Sequence, residues 1–445
     1  MKVRFVALLL FFILVLNRSS SYSQFSPELL SLKQQLQQKL PFEDYDSTKL
    51  YFDIYTKKGL HYLKPTYQLL LNSNKLKAAI GRHGFYDNAS QWLSFSGDYL
   101  TSNALAETDV DTLTKQSKKD IERLINSTYG LQHEDAKKYI IKKALDYRIV
   151  MINEAHHNPS HRAFTFSLLA DLYSQGYHYF AMETFNNYQS QTLDKVTSLT
   201  GTYTSEPTGG ELVRHALQIG YKLIPYEDTV YKPGRTGTQR DSAQAKHIYE
   251  ALQKDTAAKI LIHAGYGHIA KEVIGDYVPL GKALRNLMGV PSFSIDQTTF
   301  SEGNQYSFEK EKYNRYLQRY VISKPSVVVR TKTTSKLFDT SLYNLYVIHP
   351  KTIFKDGRPN WVSLNGYRKR HVVSKNLMSP LTFFVQAYYR QEIENNKLQN
   401  SIPADQTYNK TKSGDIVLYL RKGEYALVFR DAYYQIVKQS RLSIK

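Results

Sequence analysis

The sequence predicts an α/β fold: a mostly parallel sheet with helices on both faces, preceded by N-terminal helices and followed by a β-rich C-terminal region. Two observations predict the sheet. Between about 146 and 300, short apolar runs alternate with helical patterns, which implies right-handed crossovers and parallel pairing. The runs are also apolar without alternation, as in Ile149-Val150-Met151-Ile152, which fits strands covered on both faces. A third observation bounds it: helical spacing dominates before 145 and strand-like runs after 301.

The elements follow in order. Lys2 and Arg4 precede an unbroken apolar run from Phe5 to Leu16, and Ser21-Tyr22-Ser23 offers small residues for cleavage. Residues 1–23 are therefore expected to be a secretory signal peptide, and the chain to be secreted or periplasmic. Residues 24–145 form a helix-rich region: Pro27 to Leu40, Ser117 to Ile125 and Glu134 to Leu145 carry helical patterns, with a turn at 126–130.

Residues 146–300 carry the sheet. Strands are expected at 147–152, 178–182, 221–226, 259–263 and 291–295. Helices are expected at 161–175, 211–219, 239–252 and 282–288, with Gly176, Gly220 and Gly289 ending three of them. Residues 301–445 form a β-rich domain, with strands at 326–330, 342–348, 381–388, 416–419 and 425–429.

Composition narrows the function. The chain has no cysteine, which excludes disulfides, thiolate metal sites and a cysteine nucleophile. The formal charge is +19; losing Lys2, Arg4 and Arg18 with the signal leaves +16. The basic residues are scattered among acids with no concentrated run, so the charge reads as a solvated surface and nucleic acid is not an expected partner. No transmembrane segment is expected in the mature chain. The expected partner is a small-molecule or peptide substrate.

The polar residues cluster where strands end. The first strand runs into Asn153-Glu154-Ala155-His156-His157-Asn158, the second into Glu183, the third into Glu227-Asp228, and the fourth through His263 into Gly265-Tyr266-Gly267-His268. Ligands of open parallel sheets bind beyond the carboxyl ends of the strands. A carboxylate beside an imidazole can orient it and raise its basicity toward water. Two imidazoles with one or two carboxylates can instead hold a divalent metal, Mn, Co or Zn, that generates hydroxide. The spacing leaves metal-bound and metal-free water activation both open.

Neighbouring residues have plainer readings. His263 sits inside an apolar strand and reads as structural. His161 and Arg162 decorate a first helical turn. Thr238 to Asp241 matches a capping box. Glu227 and Asp228 start a turn. Asn158 reads as a helix cap with Pro159 at the first helical position, which aims free N–H groups at the site for a carboxylate or an oxyanion.

Residues 152–183, with Glu154, His156, Asn158-Pro159, His161, Gly176 and Glu183, resemble the opening of the haem-uptake ChaN-like and Tiki metalloprotease superfamily, and more distantly the erythromycin esterases. Arg240-Asp241 and Gly265-Tyr266-Gly267-His268 are similar to later motifs of the same families. The resemblance covers about 146–298. It implies the α/β fold and a site formed by Glu154, His156 or His157, Glu183, Arg240 and His268. The Tiki-like pattern assigns Glu154, His156, Glu183 and His268 to a metal, whereas the esterase-like pattern selects His157 as general base. The ChaN-like pattern implies reversible haem binding, with Tyr266 and Tyr226 as ligands. The chain departs from the families at Asn153, where glycine is usual, and Asn tolerates unusual backbone angles better than most residues.

The expected function is hydrolysis of an ester or amide by metal-bound or His/Glu-activated water. The alternatives are a haem-uptake protein and a catalytically silent binding protein with the β-rich tail as contact surface.

Overall fold

A computed structural model describes residues 27–38, 52–108, 111–187, 193–229, 233–253, 255–304, 306–330, 337–409 and 416–445. The expected signal peptide lies outside the described residues.

The apolar run after Tyr147 is the centre of the sheet. Its strand, Ile149–Glu154, is buried at every position. The complete sheet has eight strands: β1 (Gln132–Asp135), β2 (Ile149–Glu154), β3 (Tyr177–Met182), β4 (Lys222–Leu223), β5 (Lys259–Gly265), β6 (Ser292–Phe300), β7 (Ser326–Arg330) and β8 (Leu345–Ile348). Their spatial order is β1-β7-β8-β6-β2-β5-β3-β4. The six strands from β8 to β4 pair in parallel. β7 and the edge strand β1 are each antiparallel to the neighbour on their inner side.

Alternation along β2 supplies two cores. Val150 and Ile152 face a cluster that includes Leu168, Leu169, Leu172, Leu212 and Val213. Ile149 and Met151 face Ala245, Ile248, Leu252, Leu280 and Leu284. Eleven α-helices occur among the described residues: α1 (Pro27–Gln38), α2 (Lys64–Phe95), α3 (Tyr99–Ala106), α4 (Lys115–Asn126), α5 (Ala136–Ala144), α6 (Ser160–Ser174), α7 (Pro207–Ile219), α8 (Gly237–Leu252), α9 (Leu280–Met288), α10 (Ser307–Arg319) and α11 (Arg390–Asn396). α6 and α7 cover one face, α8 and α9 the other, as the expected layering requires. Gly220 and Gly289 end α7 and α9 in the left-handed conformation, φ 111° and 65°.

The chain leaves the expected pattern at several places. Glu134 and Asp135, where the expected helix starts, instead close the strand β1 against β7, and α5 begins only at Ala136. The third strand is reduced to Lys222–Leu223 at the sheet edge, where only β3 offers it a partner. The long helix α2 was not anticipated; a non-helical residue, Gly81 (φ 73°), kinks it. β7 and β8, expected in the β-rich C-terminal region, complete the central sheet.

The C-terminal strands are β9 (Lys369–Val373), β10 (Phe384–Tyr389), β11 (Asp405–Tyr408), β12 (Ile416–Leu420), β13 (Gly423–Arg430) and β14 (Ile436–Ile444). Four form an antiparallel sheet in the order β11-β10-β13-β14, and β9 pairs with β12. One hydrophobic cluster runs from Leu29 through Val150 to Phe384 and Tyr434. Buried hydrogen bonds tie N-terminal helix to C-terminal sheet: the Tyr67 hydroxyl donates to the Ala432 carbonyl (2.9 Å), and the Gln406 amide to the Phe95 carbonyl (2.6 Å).

Candidate functional site

β2, β5 and β3 are adjacent, so their carboxyl ends bring Glu154, Gly265 and Glu183 onto one rim. Glu154 ends β2 and is fully buried. Arg162, one turn into α6, clamps it in a fork: Nε to Oε2 and Nη2 to Oε1, both at 2.7 Å. His263 Nε2 donates to Oε2 (2.7 Å) and His156 Nδ1 to Oε1 (2.9 Å). Burial works against this carboxylate, but Arg162 and His263 outweigh it and hold its pKa well below the usual carboxylate range.

An ionised carboxylate only accepts, so Nδ1 of His156 carries a hydrogen, and in the neutral ring the lone pair is on Nε2. The ring is stacked on Tyr203 at 3.9 Å and meets the edge of Tyr266 at 5.1 Å. Tyr203 is delivered by a loop stitched to the end of β3, where Thr202 N–H donates to the Thr184 hydroxyl (2.7 Å). The His156 side chain is 13% exposed, enough to reach a ligand.

Glu183 follows β3. Its Oε2 accepts from Gly265 N–H (2.7 Å) and its Oε1 from Arg240 Nη2 (2.9 Å). His268 Nε2 stands 3.7 Å from Oε1. Burial alone would raise this carboxyl; His268, His156, Arg240 and the Gly265 N–H together reverse that and set it at about 2. A Cβ on Gly265 would lie 2.5 Å from His156 Nε2 and 3.0 Å from Glu183 Oε2, so both groups close over the same glycine.

His268 has its own carboxylate. Asp241, fully buried on α8, accepts from His268 Nδ1 (2.7 Å), the Tyr277 hydroxyl and Leu280 N–H (2.8 Å). Burial opposes a charge on His268, yet Glu183 and Asp241 raise its pKa above the ordinary histidine value. Arg240, beside Asp241 on α8, spans Glu183 and Glu227, with Nε and Nη2 on the Glu227 oxygens at 2.9 and 2.7 Å.

The structure thus brings together Glu154, His156, Glu183, Arg240 and His268. It separates His157, whose ring turns toward Asn103 and Gly303 under the N-terminal helices. Of the two adjacent histidines, His156 is the one whose ring lies at the crevice, beside Glu154 and Gly265. Tyr266 is 39% exposed at the rim, whereas Tyr226 is fully buried, so the expected pair of haem ligands is not assembled on one surface. Metal ligation by Glu154, His156, Glu183 and His268 is not supported either. Both Glu154 oxygens are taken by Arg162, and among the described residues no three His, Asp or Glu side chains are arranged to hold a metal.

Several plainer readings are corrected. His161 and Arg162 are fully buried rather than decorative. His161 Nδ1 accepts from Ala155 N–H (3.0 Å) and holds the turn between Glu154 and His156. The capping box of α8 is Thr236 with Gln239, not Thr238, which leaves Asp241 to His268. Pro159, not Asn158, precedes the first residue of α6, and the Asn158 side chain accepts from Ser160 N–H (3.3 Å). The helix start lines a separate cavity of about 570 Å³, together with His349. His263 is fully buried between the Thr165 hydroxyl on Nδ1 (3.0 Å) and Glu154 on Nε2 (2.7 Å).

Asn153 sits in regular strand pairing with Ala264, not in an unusual backbone region. Its amide nitrogen donates to the Tyr266 carbonyl (3.0 Å) and to Asp296 (2.6 Å), while its oxygen accepts from Gln297 N–H (2.8 Å). It therefore bridges β2, β6 and the turn carrying His268. Arg162, Asp241 and Tyr203 were missed as functional residues. A charged residue eight positions after Glu154, on the inner face of a buried helix, was the signal for Arg162. Comparison with known protein families, with characterised proteins and with solved structures finds no match to this chain.

Proposed function

We propose that this protein hydrolyses an ester or amide by metal-free, histidine-activated water. The observation that carries the reading is the convergence of two carboxylate-held imidazoles, Glu154–His156 and Asp241–His268, on Glu183 at the ends of adjacent strands. A carboxylate behind an imidazole fixes its tautomer and supports the charge it gains on taking a proton.

In this reading His156 Nε2 removes a proton from water, and the water oxygen adds to the substrate carbonyl carbon. Arg240, 31% exposed, supplies positive charge to the oxyanion. His268, whose protonated form is favoured by Glu183 and Asp241, gives its Nε2 proton to the leaving alcohol or amine as the tetrahedral intermediate collapses. Glu183 holds the two imidazoles and Arg240 in register. The likeness of Ile152 to Glu183 to the erythromycin esterases supports an ester-cleaving reading; their pattern points to His157 as the base, and the bond from His156 to Glu154 is what favours His156 here.

The test is turnover of a panel of chromogenic esters and anilides, with and without a chelator. Turnover should survive the chelator and fall by about 10²-fold or more in Glu183→Gln with the fold intact by circular dichroism. Turnover that disappears with the chelator, or that survives Glu183→Gln, overturns the proposal.

A further inference from the structure

A second set of charges is buried between α7 and the C-terminal strands. Glu211 on α7 is fully buried, and the Tyr389 hydroxyl lies 2.9 and 3.0 Å from its two oxygens. Three guanidinium groups surround it: Arg421 Nε at 3.1 Å, Arg368 Nη2 at 3.2 Å and Arg214 Nη1 at 3.5 Å. The next carboxylate, Glu392 on α11, takes Arg214 through two bonds of 2.7 and 2.8 Å. Three guanidinium groups therefore share two carboxylates, and one positive charge is left over. Asp405, close by, is matched by its own arginine, Arg358.

The surplus falls at Arg421. Arg214 is closed by Glu392 and the Ile402 carbonyl (2.6 Å), and Arg368 is enclosed. Arg421 uses only Nε, toward Glu211 and the Tyr389 hydroxyl (2.8 Å). Its two terminal nitrogens make no hydrogen bond among the described residues. The guanidinium lies over the Tyr389 ring, 4.6 Å from its centroid, and the side chain is 25% exposed. A cavity of about 600 Å³ opens in front of it. The other charges around that cavity cancel: Lys195, Arg390 and Lys422 against Asp194, Glu394 and Glu424.

A half-buried guanidinium without a matching anion is costly, and its planar fork fits an oxyanion through two parallel bonds. We propose that this cavity is a phosphate-binding site, separate from the crevice, in which the Arg421 terminal nitrogens grip the oxyanion. The stacked Tyr389 ring fixes the plane of the fork before the ligand arrives, so little rotamer freedom is lost on binding.

Inorganic phosphate titrated into the full chain at constant ionic strength, followed by phosphorus NMR line width and thermal unfolding, tests this. Saturable binding should weaken at least about tenfold in Arg421→Gln. It should weaken similarly in Arg421→Lys, which keeps the charge beside Glu211 but loses the fork. Lys422→Gln, on the cavity rim, should leave it within about twofold. A second arm uses phosphatidylcholine vesicles with and without phosphatidylglycerol. Arg421-dependent capture by the acidic vesicles assigns the phosphate to a lipid headgroup, and binding of free phosphate alone assigns it to a soluble ligand. Absence of both, or binding indifferent to Arg421→Gln and Arg421→Lys, overturns the proposal.

Discussion

At the residue scale, the crevice depends on which charges are held and which are released. Glu154 is locked by Arg162 and serves as a fixed anion behind His156. Glu183 is an anion facing His268, and it is the leading favourable influence on that imidazole. A histidine whose folded pKa is raised contributes stability that is complete below its ordinary value of 6.5 and is lost as pH rises through the folded value. Glu183 runs the other way: its folded value of about 2 against 4.5 means its contribution is full above 4.5 and is lost as pH falls toward 2. The His268 ring, followed by NMR, should titrate above 6.5 in the wild type and shift toward lower pH in Glu183→Gln. An unchanged midpoint would refute the coupling. Much of this was legible in the sequence, because Glu, His and Arg at strand ends need partners. What was not legible is that Arg162 and Asp241 are those partners. Spacing along a helix shows which residues share a face but not which strand end the face meets. The choice between His156 and His157 was hidden for the same reason, since adjacent residues in a turn point apart.

At the element scale, strands and helices of the middle region follow their apolar runs and glycine stops closely. β2, β5, α6 and α9 lie within a few residues of their expected bounds. The failures share a cause, which is pairing rather than propensity. Residues 132–135 are strand because β7 offers an edge, and 221–226 is mostly not strand because β4 has a single neighbour. The turn after β5 carries the tightest element-level constraint. Gly265 has an ordinary negative φ of −71°, so any residue fits its backbone, yet a methyl group there would stand 2.3 Å from His156 Cε1. Gly265→Ala should therefore cost little more than about 1–3 kcal/mol of stability, the usual cost of overpacking, while reducing ester turnover by about 10²-fold. Urea unfolding and initial rates on the same preparation check both. Full activity in Gly265→Ala would show that His156 and Glu183 do not meet there.

At the scale of the whole molecule, helices before 145 and strands after 301 were legible as composition, but their shared core was not. The one cluster that includes Leu29, Val150, Phe384 and Tyr434 joins segments hundreds of residues apart, and no local pattern announces it. No helix among the described residues is long and apolar enough to cross a membrane. The shared core carries a prediction. An isolated 146–300 fragment loses β1, β7 and β8 from its sheet and the Phe384, Tyr408 and Tyr434 side chains from its main cluster. It should lack the near-ultraviolet signal and cooperative unfolding of the full chain. A cooperative transition in the fragment would show that the region folds alone.

The most direct measurement is kcat/KM on whichever ester is turned over fastest, compared in His156→Ala and His157→Ala. If His156 is the base held by Glu154, its replacement lowers kcat/KM by about 10²–10⁴-fold, while His157→Ala stays within about tenfold of wild type. Loss of turnover in His157→Ala with His156→Ala still active would contradict the assignment of the crevice.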